Sequence, residues 1–255
     1  MANDPPGPTL PILWFFVITT IYFFFKINTN DPLQQKVFVA MYLLLVVIGE
    51  YFINLSLTEA MCGARQWQMA LTVTFIPWLL IFGVLNLFLL MFPDWLAPFS
   101  NTFGYGIAKL MGLNDFFTSL LKDKTENVEG TLSAETKVLT EALEHIYADK
   151  SLLINEITNV PDFFNRMKQL LKPNMQNPKA MEKLQYFVTI KNAVSEFVWY
   201  ILSGTLVTSI TYNYIVNMQC VQSAADLERK QRLYEASVSK KLDEKTPQQS
   251  YAMNA

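Results

Sequence analysis

Thr9-Leu-Pro-Ile-Leu-Trp-Phe-Phe-Val-Ile-Thr-Thr-Ile-Tyr-Phe-Phe-Phe-Lys-Ile27 carries no charge before Lys26. A bilayer core is ~30 Å thick and takes about 20 helical residues to cross. The run has that length, and Phe15, Phe16, Phe23, Phe24 and Phe25 give it apolar bulk. Trp14 and Tyr22 suit the two interfaces, and Lys26 can snorkel. Met1 to Thr9 lacks the Lys or Arg of a secretory n-region, so the run reads as a retained span. Asn28 to Pro32 is turn chemistry.

Two more apolar stretches follow. Val37–Leu57 contains Glu50, Asn54 and Ser56, and Ala70–Phe92 contains Pro77 and Gly83 before Pro93 stops it. A fourth, about Val194–Met218, is the most polar, with Glu196, Ser203, Thr205, Thr208, Ser209, Thr211 and Asn213. The proline-containing stretch still reads as a span, because neighbouring helices satisfy freed carbonyls in lipid.

Between the third and fourth stretches the character changes. Phe92 to Gly106 holds two prolines, two glycines and many aromatics, which predicts an ordered interfacial loop with Trp95 and Tyr105 at headgroup level, and Gly104-Tyr-Gly106 as a turn. From Ile107 to Leu121, Leu110, Leu113, Phe117 and Leu121 recur at helical spacing, which predicts one amphipathic helix on the membrane. Ser133 is a cap candidate for a helix with Leu139, Leu143, Ile146 and Tyr147 on one side. Asp162 opens a second helix with Phe163, Phe164, Met167, Leu170 and Leu171, and Asn177-Pro178 opens a third that meets no breaker before the fourth span. Beyond Cys220, Ala224, Leu227, Gln231, Tyr234 and Val238 describe a narrow apolar stripe amid mixed charge, a pattern of partner helices. Leu227, Tyr234 and Val238 are its candidate partner-binding residues.

The expected fold is therefore all-α: a multi-pass transmembrane helical protein of about four spans, with a small helical extramembrane module and a C-terminal amphipathic helix. Residues 1–121 form a three-span membrane part, 122–193 the module, 194–218 the fourth span, and 219–255 the terminal helix and tail.

Composition narrows the chemistry. The 255 residues are 51% hydrophobic and 16% charged, with a net charge of -2, against roughly 25% charged for soluble domains. Nucleic acid is not an expected partner, and the lipid bilayer is. His145 is the lone histidine, beside Glu141 and Glu144 on what reads as a solvated face. No catalytic group, metal site or cofactor is expected, and no small-molecule substrate. Cys62 and Cys220 each follow a span, so four spans put both on the N-terminal side; a disulfide is geometrically allowed, and two unrelated thiols are the expectation. Glu50 and Asn54 share a face of the second span, either as part of an ion path or as a carboxyl and an amide satisfied locally. Pro77-Trp78 reads as a packing kink. The Asn54-Leu-Ser56 sequon lies inside a span and is expected to stay unmodified.

Three strings stand apart: Met61-Cys62-Gly63-Ala64-Arg65-Gln66, then Ile76-Pro77-Trp78, then Phe92-Pro93-Asp-Trp95-Leu-Ala-Pro98-Phe99-Ser-Asn101-Thr-Phe-Gly104-Tyr105. Together they resemble a membrane protein family of large icosahedral double-stranded DNA viruses, the chlorella-virus and giant-virus group. The resemblance covers about residues 50–112. It implies a membrane-anchored minor capsid component of the virion, lodged in the internal viral membrane (host-derived during assembly) and contacting other capsid or viral membrane proteins. A small channel or transporter using Glu50, Asn54 and the polar face of the fourth span is the alternative.

Overall fold

The computed structural model describes residues 7–29, 31–122, 141, 144–157, 159–218, 220 and 224–245. Four helices are long and apolar enough to cross a membrane: Thr9–Asn28, Pro32–Cys62, Trp67–Leu89 and Pro178–Asn217. The protein is an all-α multi-pass helical protein.

The first two are α1 (Thr9–Asn28) and α2 (Pro32–Cys62). Asp31 caps α2 by accepting from the Leu33 N–H at 3.0 Å, and Pro32 stands where no amide partner is needed. The helix ends at Gly63, whose φ of 69° is the left-handed stop that residues with a Cβ resist. The third crossing is broken: α3 (Trp67–Pro77), a π-turn (Trp78–Phe82) and α4 (Gly83–Met91). Pro77 lacks the N–H that would close the α ladder, and the wider turn follows directly from it.

Phe92 to Leu110 corrects the expectation of a loop. It is helical almost throughout: a 3-10 turn (Pro93–Leu96), α5 (Ala97–Phe99), a π-turn (Ser100–Gly104) and α6 (Tyr105–Leu110). Gly104 and Gly106 are thus helical rather than a turn. Pro93 and Pro98 each occupy the first turn of a short helical piece, where proline is tolerated. The expected single helix over Ile107–Leu121 is also corrected. Gly112, at φ 95°, breaks it, and α7 (Leu113–Leu120) folds away. Leu113, Phe116, Phe117, Leu120 and Leu121 are buried in the module and do not lie on lipid.

The module also contains α8 (Lys150–Asn155), α9 (Val160–Arg166) and a 3-10 turn (Pro173–Met175). Asn159 caps α9 by accepting from the Asp162 N–H at 3.0 Å. This helix is shorter than the sequence suggests. Leu170 and Leu171 lie beyond it, where Lys122 N–H donates to Leu170 O at 3.0 Å and Lys172 N–H to Leu120 O at 2.9 Å. Ile146 and Tyr147 pack on the module core; Ser133, Leu139 and Leu143 lie outside the described residues.

The last long helix, α10 (Pro178–Asn217), has 40 residues, about 60 Å at ~1.5 Å per residue. As the sequence predicts, it runs unbroken from module to membrane. Asn177 caps it, accepting from the Ala180 N–H at 2.9 Å. Its lower half lines a bundle core of Phe15, Tyr22, Phe23, Tyr42, Trp78 and Val207. Only 22–33% of the apolar window of each crossing helix is buried inside the protein. Residues such as Phe24, Leu79 and Leu110 point outward. A terminal helix, α11 (Ala224–Lys245), ends the described chain.

At Gly204 the ring of Phe15 sits where a Cβ would be, and Phe15 is fully buried. Gly204→Leu should therefore cost roughly 1–3 kcal/mol by overpacking. Thermal unfolding in detergent should show the loss, and Phe15→Leu in the same chain should restore part of it. No loss on Gly204→Leu would mean that α1 does not pack against α10 in this register.

Candidate functional site

The candidate residues fall into four places along the molecule. The first is a polar layer in the bundle. Glu50 and Asn54, one turn apart on α2, are 0% and 1% exposed. They do not bond one another. Asn54 Nδ2 donates to Thr74 Oγ1 on α3 at 2.8 Å, and Thr211 Oγ1 on α10 donates to Val73 O at 3.4 Å. Nearer α1, Thr19 Oγ1 donates to Phe15 O at 2.7 Å and lies 3.1 Å from Tyr42 Oη. Most of this polarity ties helices together. Glu50 differs: both carboxyl oxygens are buried without a hydrogen-bond partner among the described residues, as is Thr208 Oγ1. Of the Asn54-Leu-Ser56 sequon, Asn54 is buried and Ser56 is exposed on the outer face of α2.

The second place is the rim on the module side. Lys26, at the end of α1, is ion-paired with Glu196 on α10, and both side chains are about a quarter exposed. Beside it runs an aromatic ladder. Trp95 stacks on Phe92 at 5.6 Å and 20°, meets Phe88 at 5.6 Å and reaches Trp199 at 6.5 Å; Phe99 meets Trp199 at 6.0 Å. The ladder involves span residues Phe88 and Trp199, which the sequence reading left out; only the threading of α10 past Pro93 unites them. Higher up, a Cβ on Gly104 would collide with the Lys191 carbonyl oxygen. Lys191, 4% exposed, donates from Nζ to Ile154 O at 3.1 Å at the end of α8, where the helix dipole favours a cation. This knits the Pro93–Tyr105 string, α10 and the module into one contact. Pro98 and Asn101 lie on this segment, with Asn101 exposed.

The third place is the opposite rim, and it corrects the expectation of unrelated thiols. Cys62 and Cys220 form a disulfide, with Cα atoms 5.5 Å apart. Their partnership was hidden in the sequence because it needs the register of two spans. The adjoining turn fits this clasp. Gly63 ends α2, and Gln66 precedes α3 with its N–H donating to Thr58 Oγ1 at 3.2 Å. Trp78, the residue directly after Pro77 at the end of α3, is 3% exposed and lies 5.4 Å from the Phe15 ring, as a packing kink requires.

The fourth place is the periphery. A groove of about 340 Å³ in the module is lined by Ile146, Leu153, Phe163 and Met167, with Glu156 and Arg166 at its edge. On α11, Tyr234 is 70% exposed and Val238 half-buried. The side chain of Leu227 lies outside the described residues. Among the described residues there is no group of three or more His, Cys, Asp or Glu side chains able to hold a metal.

Fold and site define a class: a four-span helical membrane protein with a module mounted on its longest helix. No family model, curated protein or solved structure matches the chain.

The disulfide closes a separation of 158 residues, so chain entropy assigns it on the order of 5 kcal/mol. Reductant should lower the unfolding midpoint of the wild type and leave that of Cys220→Ser unchanged; equal shifts in both would show the bond does not form. At Glu50, an unpaired charge would cost several kcal/mol, so a neutral side chain fits. Glu50→Gln should keep stability within about 1 kcal/mol, as read by unfolding in detergent. A large loss would show that the carboxylate charge itself is used.

Proposed function

We propose that this protein is a structural component, a membrane-anchored minor capsid protein that tethers an internal viral membrane to a protein shell. The observation that carries the tether is the mounting of the module. One uninterrupted helix serves both bundle and module, and Lys191 and Gly104 lock the Pro93–Tyr105 string and α8 against it. A flexible linker would transmit no position from lipid to shell; a ~60 Å helix does. The viral setting draws on the three strings that resemble the chlorella-virus and giant-virus group. Those strings coincide with the disulfide clasp, the Trp78 kink and the aromatic ladder, the fixtures a rigid bracket needs. The surface this mounting presents to a shell protein is the module groove; the exposed side of α11 is a second partner surface at the other end of the bundle.

A channel draws support from one feature, the unpartnered Glu50 and Thr208. Both are enclosed by helices, at 0% and 1% exposure, and the neighbouring Asn54 and Thr211 are spent on helix contacts. Transport needs those groups to meet water, so the tether is the better reading.

The test is retention. Particles purified and then stripped of lipid with detergent should keep this protein attached to the shell; release together with the lipid would refute the tether. Trp95→Ala removes three ring contacts, each worth about 0.5–1.5 kcal/mol, from a residue that is 47% exposed. The variant should insert into membranes normally and reach particles at reduced copy number. Normal incorporation would remove the ladder from the assembly role.

A further inference from the structure

We infer that the end of the bundle clasped by Cys62–Cys220 faces an oxidising compartment, and that the helical module faces the reducing one. Protein disulfides form and persist in oxidising surroundings and are rare where thiol reductants are maintained. The two sulfurs sit at the end of α2 and just beyond the end of α10. Four crossings put that rim on the same side as the start of α1 and α11. They put the α1–α2 turn, the Pro93–Leu110 segment and the module on the other.

Charge is divided between the two sides. Lys and Arg near membrane segments collect on the cytoplasmic side, and the first span usually dominates. Residues 1–8 carry neither, whereas Lys26 and Lys36 flank the α1–α2 turn. The turn between α2 and α3, on the disulfide side, has Arg65, which pairs with Glu59 at 2.7 Å. On the module side, Lys183 and Lys191 precede the membrane part of α10. Arg229, Lys230 and Arg232 on α11 vote the other way. By charge alone they leave the orientation open; the disulfide breaks the tie in favour of the first span.

The consequence is a division of partners. The module groove is open only to proteins of the reducing side. The exposed Leu233 and Tyr234 of α11 are open only to those of the oxidising side. A tether built on the module and one built on the tail would therefore hold shells on opposite faces of the membrane. This inference stands whether or not the tether reading does.

Single substitutions supply the test. Glu235→Asn creates an N-glycosylation acceptor ahead of Ala236 and Ser237 in α11. Gln176→Thr turns Asn174 into one in the module, and both positions are exposed. The full chain is translated with sealed microsomes from endoplasmic reticulum, whose lumen is oxidising. Glu235→Asn should gain one endoglycosidase-sensitive glycan and Gln176→Thr none. A glycan on Gln176→Thr, on both or on neither overturns the orientation. In the same membranes, Cys62 and Cys220 should take up a maleimide mass tag only after reduction; tagging without reductant overturns the clasp on which the inference rests.

Discussion

Helix α10 is the constraint on which the rest of the structure depends. Lipid offers no hydrogen bonds, so a chain crossing it must close its own ladder or lean on a neighbour that covers the gap. The third crossing breaks its ladder at Pro77 and ends it at Phe92. Both places lie beside α10. Thr211 donates to the Val73 carbonyl, four residues ahead of Pro77, and Trp199 receives the rings of Trp95 and Phe99. The helix also passes Phe15 at Gly204 and the Pro93–Leu110 segment at Lys191. In each case small or flat surfaces meet, which is how helices associate where there is no hydrophobic drive between them.

How much of this was legible follows from which forces act locally. The four crossings were readable because length and apolar composition answer to bilayer thickness alone. The continuity of α10 was readable because Asn177-Pro178 is a strong start and no breaker follows. Phe92–Gly106 was misread because proline and glycine were counted as breakers. The prolines fall at the first positions of short helical pieces, and Gly104 is small so that α10 can approach, which no local pattern reveals. Gly112 was a break inside an apparently single amphipathic run; once it bends the chain, Leu113 and Phe117 find the module core and leave the membrane surface. The disulfide needed the depth of two spans to be known together. Glu50 and Asn54 were correctly placed on one face of α2. Their different fates, one bonded to Thr74 and one unpartnered, depend on which helix stands opposite.

The two rims are closed by different chemistry, and the difference has physical content. On the module side the closure is electrostatic and aromatic, with Lys26 on Glu196, Lys191 on the end of α8 and the ladder around Trp95. Those contacts are worth most where water is scarce, and they hold the native arrangement directly. On the other side the closure is covalent. Its main effect is on the unfolded chain, whose entropy it reduces, and it adds no new packing. The middle of the bundle relies on close fit at Phe15, Gly204 and Trp78 and on the hydrogen bonds of Asn54 and Thr211 across to α3.

That arrangement makes the loss of either rim asymmetric. With the disulfide reduced, the native contacts around Asn54, Thr74 and Thr211 remain, and the chain becomes less stable without changing shape. With the module rim disrupted, α10 keeps its helix but loses what fixes the upper half against α6 and α8. The span would still cross the membrane, yet the module would no longer stand at a defined place above it. Two fixtures of the module-side rim, the buried Lys191 and the close approach at Gly104, bind the module and the Pro93–Leu110 segment to α10, while the ladder at Trp95 holds the end of the third crossing against the same helix.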